Sequence, residues 1–384
     1  MKSLRVLALV SLGAFTLPQL FAQQGPVTSG SETVAKPKPK ADASSDSTTD
    51  TTTAAPDPNT AKIPSKYNKK DLPQGVPVFS TDALTVSLDV AVLDNKGHFI
   101  PKIPKGNFRI LEDNVPQQIA GYSVGQAPMT ISLVIEFSNK FQNFYSSAWF
   151  QTLQATYGFV QTLKPEDYVA VVAYDLKPEM LSDFSTNRQD TYEALQRLRI
   201  PAWSEANLYD ALVDTEQRMQ DIEGRKAILL ISSGIDTFSK LTFDKARRAV
   251  QDAGVPIYAF GLMQAAREMA DASGRMGAIQ RMDFLQADNQ MRTFAKESGG
   301  MAFFPRFAGE DPGIFQAIQE AMRNQYVLSY TPNNQERDGK FRKIKVELVN
   351  PETNEPLRVV DEKGKPIKYQ VQTKAGYTAP RPVE

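Results

Sequence analysis

The sequence predicts an α/β protein whose doubly wound, mainly parallel sheet is flanked by a β-sandwich built from N-terminal and C-terminal strands. Two observations predict this arrangement. Between residues 129 and 324, short apolar runs alternate with segments of helical periodicity, which is typical of a parallel sheet covered by helices on both faces. On either side of that region, apolar and polar residues alternate with a period of two, as in antiparallel strands with one buried face.

Residues 1–22 have the pattern of a secretory signal peptide. Lys2 and Arg5 accompany the start of a mostly apolar stretch, Leu4 to Leu20, and Ala22 offers a small residue for cleavage. The stretch is shorter than the roughly 20 residues of a bilayer span, so cleavage is favoured over a retained membrane anchor. We therefore expect export to the periplasm, the cell envelope or the extracellular space, with membrane attachment only through an uncleaved signal.

Residues 23–79 predict a disordered, low-complexity linker. The stretch from Lys36 to Thr60 is rich in Pro, Ser, Thr, Ala and Asp and has no aromatic residue. Such a composition cannot bury enough apolar surface to offset the entropy lost on ordering. The linker is interpreted either as a spacer that holds the folded part away from a membrane or wall, or as a leader with no function of its own.

Residues 80–128 predict an N-terminal, immunoglobulin-like β segment. Leu84 to Asp94 alternate apolar and polar residues, and Asp94 to Gly97 then have turn composition. Two further strands are expected within residues 107–124, on either side of a turn at Glu112, Asp113 and Asn114.

Residues 129–324 predict the α/β domain. Strands are expected at 129–137, 168–174, 225–232, 255–262 and 299–304. Helices are expected over 145–163, 188–198, 208–222, 243–253, 288–297 and 311–324.

Residues 325–380 return to strand periodicity and form a C-terminal β segment. Strands are expected at 325–332, 341–349 and 369–377, with residues 333–340 as a polar hairpin loop. We expect the C-terminal strands to be too few to stand alone and to pack with residues 80–128 in one sandwich. Separate N-terminal and C-terminal β units are the alternative.

The composition excludes several classes of function. The chain has no cysteine and a single histidine, His98, so disulfides, thiolate metal sites, thiol nucleophiles and multi-histidine metal sites are ruled out. His98 follows a predicted turn with no nucleophile motif nearby, which favours a surface role. Lys+Arg and Asp+Glu both number 44, and this balance argues against nucleic acid as a partner.

With these segments placed, the chain resembles the von Willebrand factor A (VWA) domain, and more closely the VWFA-related family of secreted, acidobacterial-type proteins. The resemblance implies a doubly wound sheet with its ligand face at the C-terminal edge of the strands. Its matching segments extend from residue 80 to 380 and include "ISLVIEFSNK", "ANLYDAL", "KAILLISSGIDTFS", "VPIYAFGL", "FAKESGGMAFF" and "QYVLSYTPNNQERDGKFRKIKV".

The resemblance also implies a metal-ion-dependent adhesion site (MIDAS), which in the wider class has Asp-x-Ser-x-Ser, Thr and Asp on three loops. Here it places Glu136, Ser138 and Lys140 on the first loop, Ala206 on the second and Ser233 on the third. Only Ser138 keeps the residue type of the pattern. Ala206 offers no oxygen ligand, and the Lys140 ammonium would repel Mg²⁺ strongly at low dielectric. We therefore predict a degenerate site with no tight Mg²⁺ and no other cofactor.

Lys140 allows two interpretations. Its ammonium either occupies the vacated cation position and pairs with Glu136, or points to solvent as Lys side chains usually do. A residual metal site would have to recruit Asp210 or Asp236, although Asp210 lies in a helical segment that it is expected to brace. The possible binding face consists of Glu136, Ser138, Lys140, Asn207, Ser233 and Asp236.

The segment 263–291 follows the fourth strand of the α/β domain and is expected on the ligand face. It carries five methionines, at positions 263, 269, 276, 282 and 291. Methionine suits adaptable contact surfaces, so the segment is either a partner-docking lid or a helical excursion that packs against the domain.

The sequence therefore predicts an exported, non-enzymatic binding module of adhesion type, whose partner is a protein or an envelope polymer. A structural component of the cell envelope is the alternative. A hydrolase that uses carboxylates such as Glu112 and Asp113 is disfavoured, because that pair falls in a predicted turn where solvated charges are ordinary.

Overall fold

The computed structural model describes residues 84–95, 97–124, 128–139, 142–201, 203–222, 224–274, 277–360 and 364–382. The predicted signal peptide and linker, and Lys140, lie outside the described residues. The strands are β1 (Val86–Asp94), β2 (Phe108–Glu112), β3 (Val115–Gln117), β4 (Ile119–Val124), β5 (Met129–Glu136), β6 (Tyr168–Tyr174), β7 (Pro178–Ser185), β8 (Arg225–Ser232), β9 (Ile257–Gly261), β10 (Ala302–Phe303), β11 (Tyr326–Tyr330), β12 (Phe341–Leu348), β13 (Val359–Val360), β14 (Pro366–Ile367), β15 (Tyr369–Gln372) and β16 (Gly376–Thr378). The α-helices are α1 (Gln142–Thr162), α2 (Arg188–Gln196), α3 (Leu208–Gln220), α4 (Phe243–Ala253), α5 (Gln264–Ala272), α6 (Ala278–Ser298) and α7 (Asp311–Arg323).

The central sheet has six strands in the order β10-β9-β8-β5-β6-β7. All neighbours pair in parallel except β7, which pairs antiparallel with β6 at the edge. Strand β5 is buried along its whole length, and β8 is buried at every residue except Lys226, because separate apolar clusters cover the two faces of the sheet. The predicted fold class, a doubly wound and mainly parallel sheet beside a β-sandwich, is confirmed.

The sandwich contains two four-stranded sheets, β15-β1-β11-β4 and β16-β12-β2-β3. Strands from both ends of the chain pair within each sheet, since β1 pairs with β11 and β2 with β12. Alternate residues of β12 are buried, and they meet the inner face of the other sheet in a single apolar cluster. The alternative of separate N-terminal and C-terminal β units is therefore wrong.

Three details of the predicted sandwich are corrected by the structure. Residues 369–377 form two strands, β15 and β16, which lie in different sheets. Residues 333–340 are not a hairpin loop, because β11 and β12 also belong to different sheets. Residues 107–124 form three strands, since the chain changes sheets between β3 and β4. In each case the pairing partners of the strands lie far away in the sequence, so the local pattern does not mark where the chain changes sheets.

The α/β region also departs from the prediction at its edges. Strand β7 was not predicted, because its half-exposed residues do not alternate in polarity. The helix expected over 288–297 begins ten residues earlier, as α6, and α5 precedes it. Within the described parts of the chain, none of the helices combines the length and apolarity needed to cross a bilayer.

Two glycines allow the chain to turn between α6 and β10. Gly299 has a φ of +90°, in the left-handed region where side chains with a Cβ are strained. Gly300 has no such φ, but a Cβ there would clash with the backbone of Ile257 in β9. The first glycine is needed for its conformation, and the second for the close approach of two backbones.

Glu216 is a buried carboxyl in the packing of α3 against α4. Its side chain is 2% exposed, and neither oxygen has a hydrogen-bond partner among the described residues. Burial, together with the charge of Asp252 on α4, raises the pKa of Glu216 to about 8. The carboxyl is therefore mostly protonated at neutral pH.

Candidate functional site

The candidate site lies where β5 and β8 end. Strand β5 leads to β6 on one side of the sheet, whereas the chain later returns to β8 on the other side of β5. Ligands of such sheets bind beyond the carboxyl ends of the strands at this change of direction. Glu136 is the last residue of β5, and Ser232 is the last residue of β8, so the fold brings the first and third loops together.

Glu136 is buried, and protein groups donate hydrogen bonds to both of its carboxylate oxygens. Oε1 accepts from Ser138 Oγ at 2.8 Å. Oε2 accepts from the Ser233 amide at 2.7 Å, from Ser233 Oγ at 2.8 Å and from Ser232 Oγ at 3.1 Å. Charge-assisted bonds of this kind are stronger than neutral ones, so the carboxylate is stabilised without a cation in contact with it.

Each hydroxyl proton of Tyr174 and Ser232 near Glu136 has one acceptor that suits it best. Tyr174 OH lies 2.7 Å from Ser232 Oγ and 3.4 Å from Glu136 Oε2, so its proton is best placed on Ser232. Ser232 Oγ accepts from Tyr174 and from the Gly234 amide at 2.8 Å, which leaves its own proton for Glu136. Burial, followed by the Glu136 charge, holds the pKa of Tyr174 well above its usual value, so the phenol keeps its proton.

The second loop is held to its neighbours mainly through the backbone. Ala206 N–H donates to Thr237 Oγ1 at 2.9 Å, and Ala206 O accepts from Thr237 N–H at 2.8 Å. Asn207 is buried, its amide donating to Asp175 O at 2.9 Å and its Nδ2 to Leu176 O at 3.2 Å. Thr237 thus braces the position where the resemblance implies a threonine ligand, and its hydroxyl is turned to the backbone.

The two aspartates considered for a residual metal site are both engaged with the polypeptide. Asp210 accepts from the amides of Lys240 and Leu241 at 3.0 Å each, so it braces the loop that leads into α4. Asp236 accepts from Ser239 Oγ and from the Tyr209 amide. Burial raises the pKa of Asp236, and these hydrogen bonds oppose the rise.

The residues present do not fit a MIDAS cation. Ala206 has no side-chain oxygen, and Ser233 Oγ accepts from the Ile235 amide at 3.2 Å while donating to Glu136. A divalent ion at Glu136 would have to displace hydroxyl and amide donors from both carboxylate oxygens. No group of three or more Asp, Glu or His side chains among the described residues is arranged to hold a metal.

Of the predicted binding-face residues, Glu136, Asn207 and Ser233 are buried, and Ser138 and Asp236 are partly exposed. Lys140 lies outside the described residues, so its pairing with Glu136 stays a prediction. The sequence analysis missed Tyr174, Ser232 and Thr237. Tyr174 and Ser232 are the last residues of apolar strands, and the order of those strands in the sheet would have been needed to place them here.

Large apolar side chains are exposed around this site. Ile200 is 83% and Trp203 53% exposed on the loop between α2 and α3, and the Trp203 carbonyl accepts from the Asn139 amide at 2.6 Å. Phe238, on the loop after β8, is 54% exposed, and Phe307, before α7, is 60% exposed. The C-terminal face therefore has an apolar rim, defined here as Ile200, Trp203, Phe238 and Phe307.

Two cavities open on the same face. One of about 260 Å³ lies between the first loop and the β6–β7 turn, with Phe137, Tyr174 and Trp203 in its wall. The other, of about 410 Å³, lies between the third loop and α6, with Asp236 and Asp283 in its wall. The face thus offers concave pockets beside exposed aromatic side chains.

The methionine-rich segment packs against the domain through part of its methionines, and its interpretation as a partner-docking lid stays a prediction. Met263 and Met291 are buried in the domain core, whereas Met269 and Met282 are 65% and 68% exposed. Met276 lies outside the described residues. The segment is a packed pair of helices that also carries exposed thioethers.

The residues considered for hydrolysis or catalysis lie in the β region. The Glu112 carboxylate is buried in the sandwich, where it accepts from Tyr330 OH at 2.6 Å and Tyr377 OH at 3.2 Å. Asp113 turns away and accepts from the Lys343 amide at 2.9 Å. His98 is exposed and contacts Asp94 at 3.2 Å. Glu112 and Asp113 do not face each other across a pocket.

A scan against models of protein families and a search of curated protein sequences found no match. Among solved structures, the chain is similar to an aerotolerance-related membrane protein from Bacteroides fragilis, at 13% identity and a TM-score of 0.40, over 50% of this chain and 98% of that one. It is similar to the vWF domain of the type V pili tip protein Mfa5 from Porphyromonas gingivalis, at 13% identity and 0.39, over 52% and 98%. It is also similar to proximal thread matrix protein 1 from the mussel byssus, at 12% identity and 0.40, over 55% and 51%.

Proposed function

We propose that the protein is an exported, non-enzymatic binding module that recognises a protein or envelope polymer through the C-terminal face of its VWA-like domain. One observation carries the proposal. The carboxylate of Glu136, which stands where a MIDAS would face a cation, accepts protein hydrogen bonds on both oxygens, and the exposed apolar residues of the rim lie on loops of the same domain. The face is therefore suited to binding by apolar contact.

The network at Glu136 has a structural role in this proposal. It joins the ends of β5, β6 and β8 through Glu136, Tyr174, Ser232 and Ser233, and so fixes the positions of the loops that carry the rim. A partner meets the exposed side chains and the adjacent cavities. Since no ion bridges the two molecules, binding should be insensitive to chelators of divalent cations.

Trp203 is the rim residue expected to contribute most to binding. Interface residues with the largest energetic effect are enriched in Trp, Tyr and Arg and lie next to pockets that exclude water. Trp203 is half exposed and forms part of the wall of the 260 Å³ cavity. Its replacement by alanine should weaken binding by about 2 kcal/mol or more, roughly 30-fold in affinity.

The test is crosslinking and pull-down from the native envelope with three immobilised baits: the unchanged chain, Trp203→Ala and Phe341→Ala. Phe341 is a matched aromatic control, because it is 38% exposed but lies on β12 of the sandwich. A partner enriched on the unchanged and control baits, lost from Trp203→Ala and retained in a chelator supports the proposal. A partner held equally by all three baits, or released by the chelator, contradicts it.

The proposal also includes the export signal, the linker, the protein family and the domain boundaries. We infer export through the signal peptide at residues 1–22, a linker at 23–79 and membership of the VWFA-related family of secreted, acidobacterial-type proteins from the residues that resemble it. The domain boundaries at residues 80, 129 and 325 are proposed on the same basis. Mass spectrometry of the mature protein's N-terminal peptide tests the first of these directly, since cleavage after Ala22 would leave Gln23, free or cyclised, at the start.

A further inference from the structure

The exposed face of α1 carries no charge. The helix has 21 residues, and none of them is Asp, Glu, Lys or Arg. From Trp149 onward, the residues exposed to solvent are Phe150, Gln151, Gln154, Gly158, Gln161 and Thr162. Exposed helix faces are normally rich in charged residues, whereas the cores of protein interfaces are depleted of them.

Gly158 lies in the middle of this face, and no contact among the described residues requires a glycine there. It is helical, and a Cβ built on it would meet nothing within 4 Å. Glycine in a helix interior costs about 0.5–1 kcal/mol relative to alanine. Gly300, by contrast, is required by the nearby backbone of Ile257. A second backbone that approaches α1 closely at this position would explain Gly158.

Grooves run along both sides of α1. One, of about 650 Å³, lies against α7 and has Phe159 and Phe315 in its wall. The other, of about 510 Å³, lies against α2 and has Phe150 and Leu153 in its wall. Gln154 and Gly158 border both grooves, so α1 forms a ridge with its lowest point at the glycine.

We propose that this face of α1 is the interface of a homodimer, in which the α1 helices of two copies cross at Gly158. The side chains of Gln151, Gln154 and Gln161 make no hydrogen bond with other described residues. Each carboxamide is both donor and acceptor, so the same row can pair with itself across a two-fold axis. The chain has equal numbers of basic and acidic residues, and two copies therefore carry no net charge that would hold them apart.

The described part of α1 and the groove walls together must supply the area of the dimer. From Trp149 to Thr162 the helix is about 21 Å long, and its outward half presents about 330 Å² per copy. Two copies would bury about 660 Å² through α1 alone. The groove walls from α2 and α7 have to contribute the rest of the roughly 1,000 Å² at which specific interfaces begin.

The first test is sedimentation equilibrium on the purified full chain and on two variants, Gly158→Leu and Gly313→Leu. Gly313 is the matched control, because it lies in α7, its Cβ would also meet nothing within 4 Å, and it is not part of the wall of either groove. We expect a monomer–dimer equilibrium that Gly158→Leu weakens at least tenfold and Gly313→Leu leaves unchanged. A chain that stays monomeric up to millimolar concentration, or a dimer equally stable in Gly158→Leu, overturns the proposal.

The second test is disulfide crosslinking. It is possible because the chain has no cysteine, so an introduced thiol is the only one present. Helices that cross at 8–10 Å between axes bring facing Cα atoms to about 3.5–5.5 Å, and the upper half of this range is within the Cα–Cα distances that a disulfide spans. Under mild oxidation, the thiols introduced by Gly158→Cys should link two copies in high yield, whereas those introduced by Gly313→Cys should not. Equal crosslinking of the two variants overturns the crossing at Gly158. Neither test uses the C-terminal face, so failure here leaves the proposed function standing.

Discussion

Replacing Glu216 by Gln should stabilise the protein at alkaline pH and flatten its stability profile. The carboxyl is 2% exposed, and neither oxygen has a partner among the described residues. Its pKa is about 8 in the folded chain against a reference value of 4.5, because of burial and the charge of Asp252. Glutamine has nearly the same shape and cannot ionise, so it removes the titration without opening a cavity.

The magnitude follows from proton linkage. Between pH 4.5 and 8 the unfolded chain has released this proton and the folded chain still holds it, so stability falls as the pH rises. The contribution is complete below pH 4.5 and is lost as the pH rises through 8. Each pH unit in that window costs up to about 1.4 kcal/mol, which amounts to about 3–4 kcal/mol between pH 5 and pH 8.

Urea unfolding followed by circular dichroism at pH 5, 6, 7 and 8 measures this effect. The free energy of unfolding of the unchanged chain should fall more steeply with pH than that of Glu216→Gln, and the gap should widen to about 3–4 kcal/mol. Asp214→Asn is the matched control, because Asp214 lies on the same helix but is paired with Arg218 at the surface. Parallel profiles for the unchanged chain and Glu216→Gln would refute the reasoning.

Three further predictions concern the site and the turn that supports the sheet. Ser233→Ala should lower the free energy of unfolding by about 1.5–3 kcal/mol. Ser138→Ala should lower it by less, because Ser138 is less deeply buried than Ser233. Equal losses of stability for the two variants in urea unfolding would contradict this. Gly300→Ala should cost about 3 kcal/mol or more because of the clash with Ile257, and an unchanged melting temperature would contradict it. Asp210→Ala should speed hydrogen exchange at the two backbone amides that the carboxylate holds in the following loop, and unchanged protection would show that this brace is dispensable.

The sequence predicted best the elements that have a clear hydrophobic pattern. Strands β6 and β8 and helix α4 have the predicted bounds. A continuous apolar run indicates a buried strand, and a strongly amphipathic pattern indicates a helix, so neither pattern is ambiguous in these segments. Strand β7 is half exposed on the edge of the sheet, so its pattern carries little information. The changes of sheet within the sandwich depend on contacts between residues more than 200 positions apart, which periodicity cannot reveal.

The resemblance placed Glu136, Ser138 and Ser233 on loops of one face, and hydrogen bonds of Ser138 and Ser233 to Glu136 join them in the structure. Their role in binding stays a prediction. The sequence could not show that Tyr174 and Ser232 complete a hydroxyl network around the carboxylate, because their roles depend on how β6 and β8 are ordered around β5.

The most direct test is titration calorimetry of the purified chain with MgCl₂ and MnCl₂, in parallel with Glu136→Gln. If internal donors satisfy the carboxylate, neither ion should give a saturable heat at micromolar to low millimolar concentration in either protein. Micromolar uptake of either ion by the unchanged chain, abolished by Glu136→Gln, would show that this face still carries a working cation site.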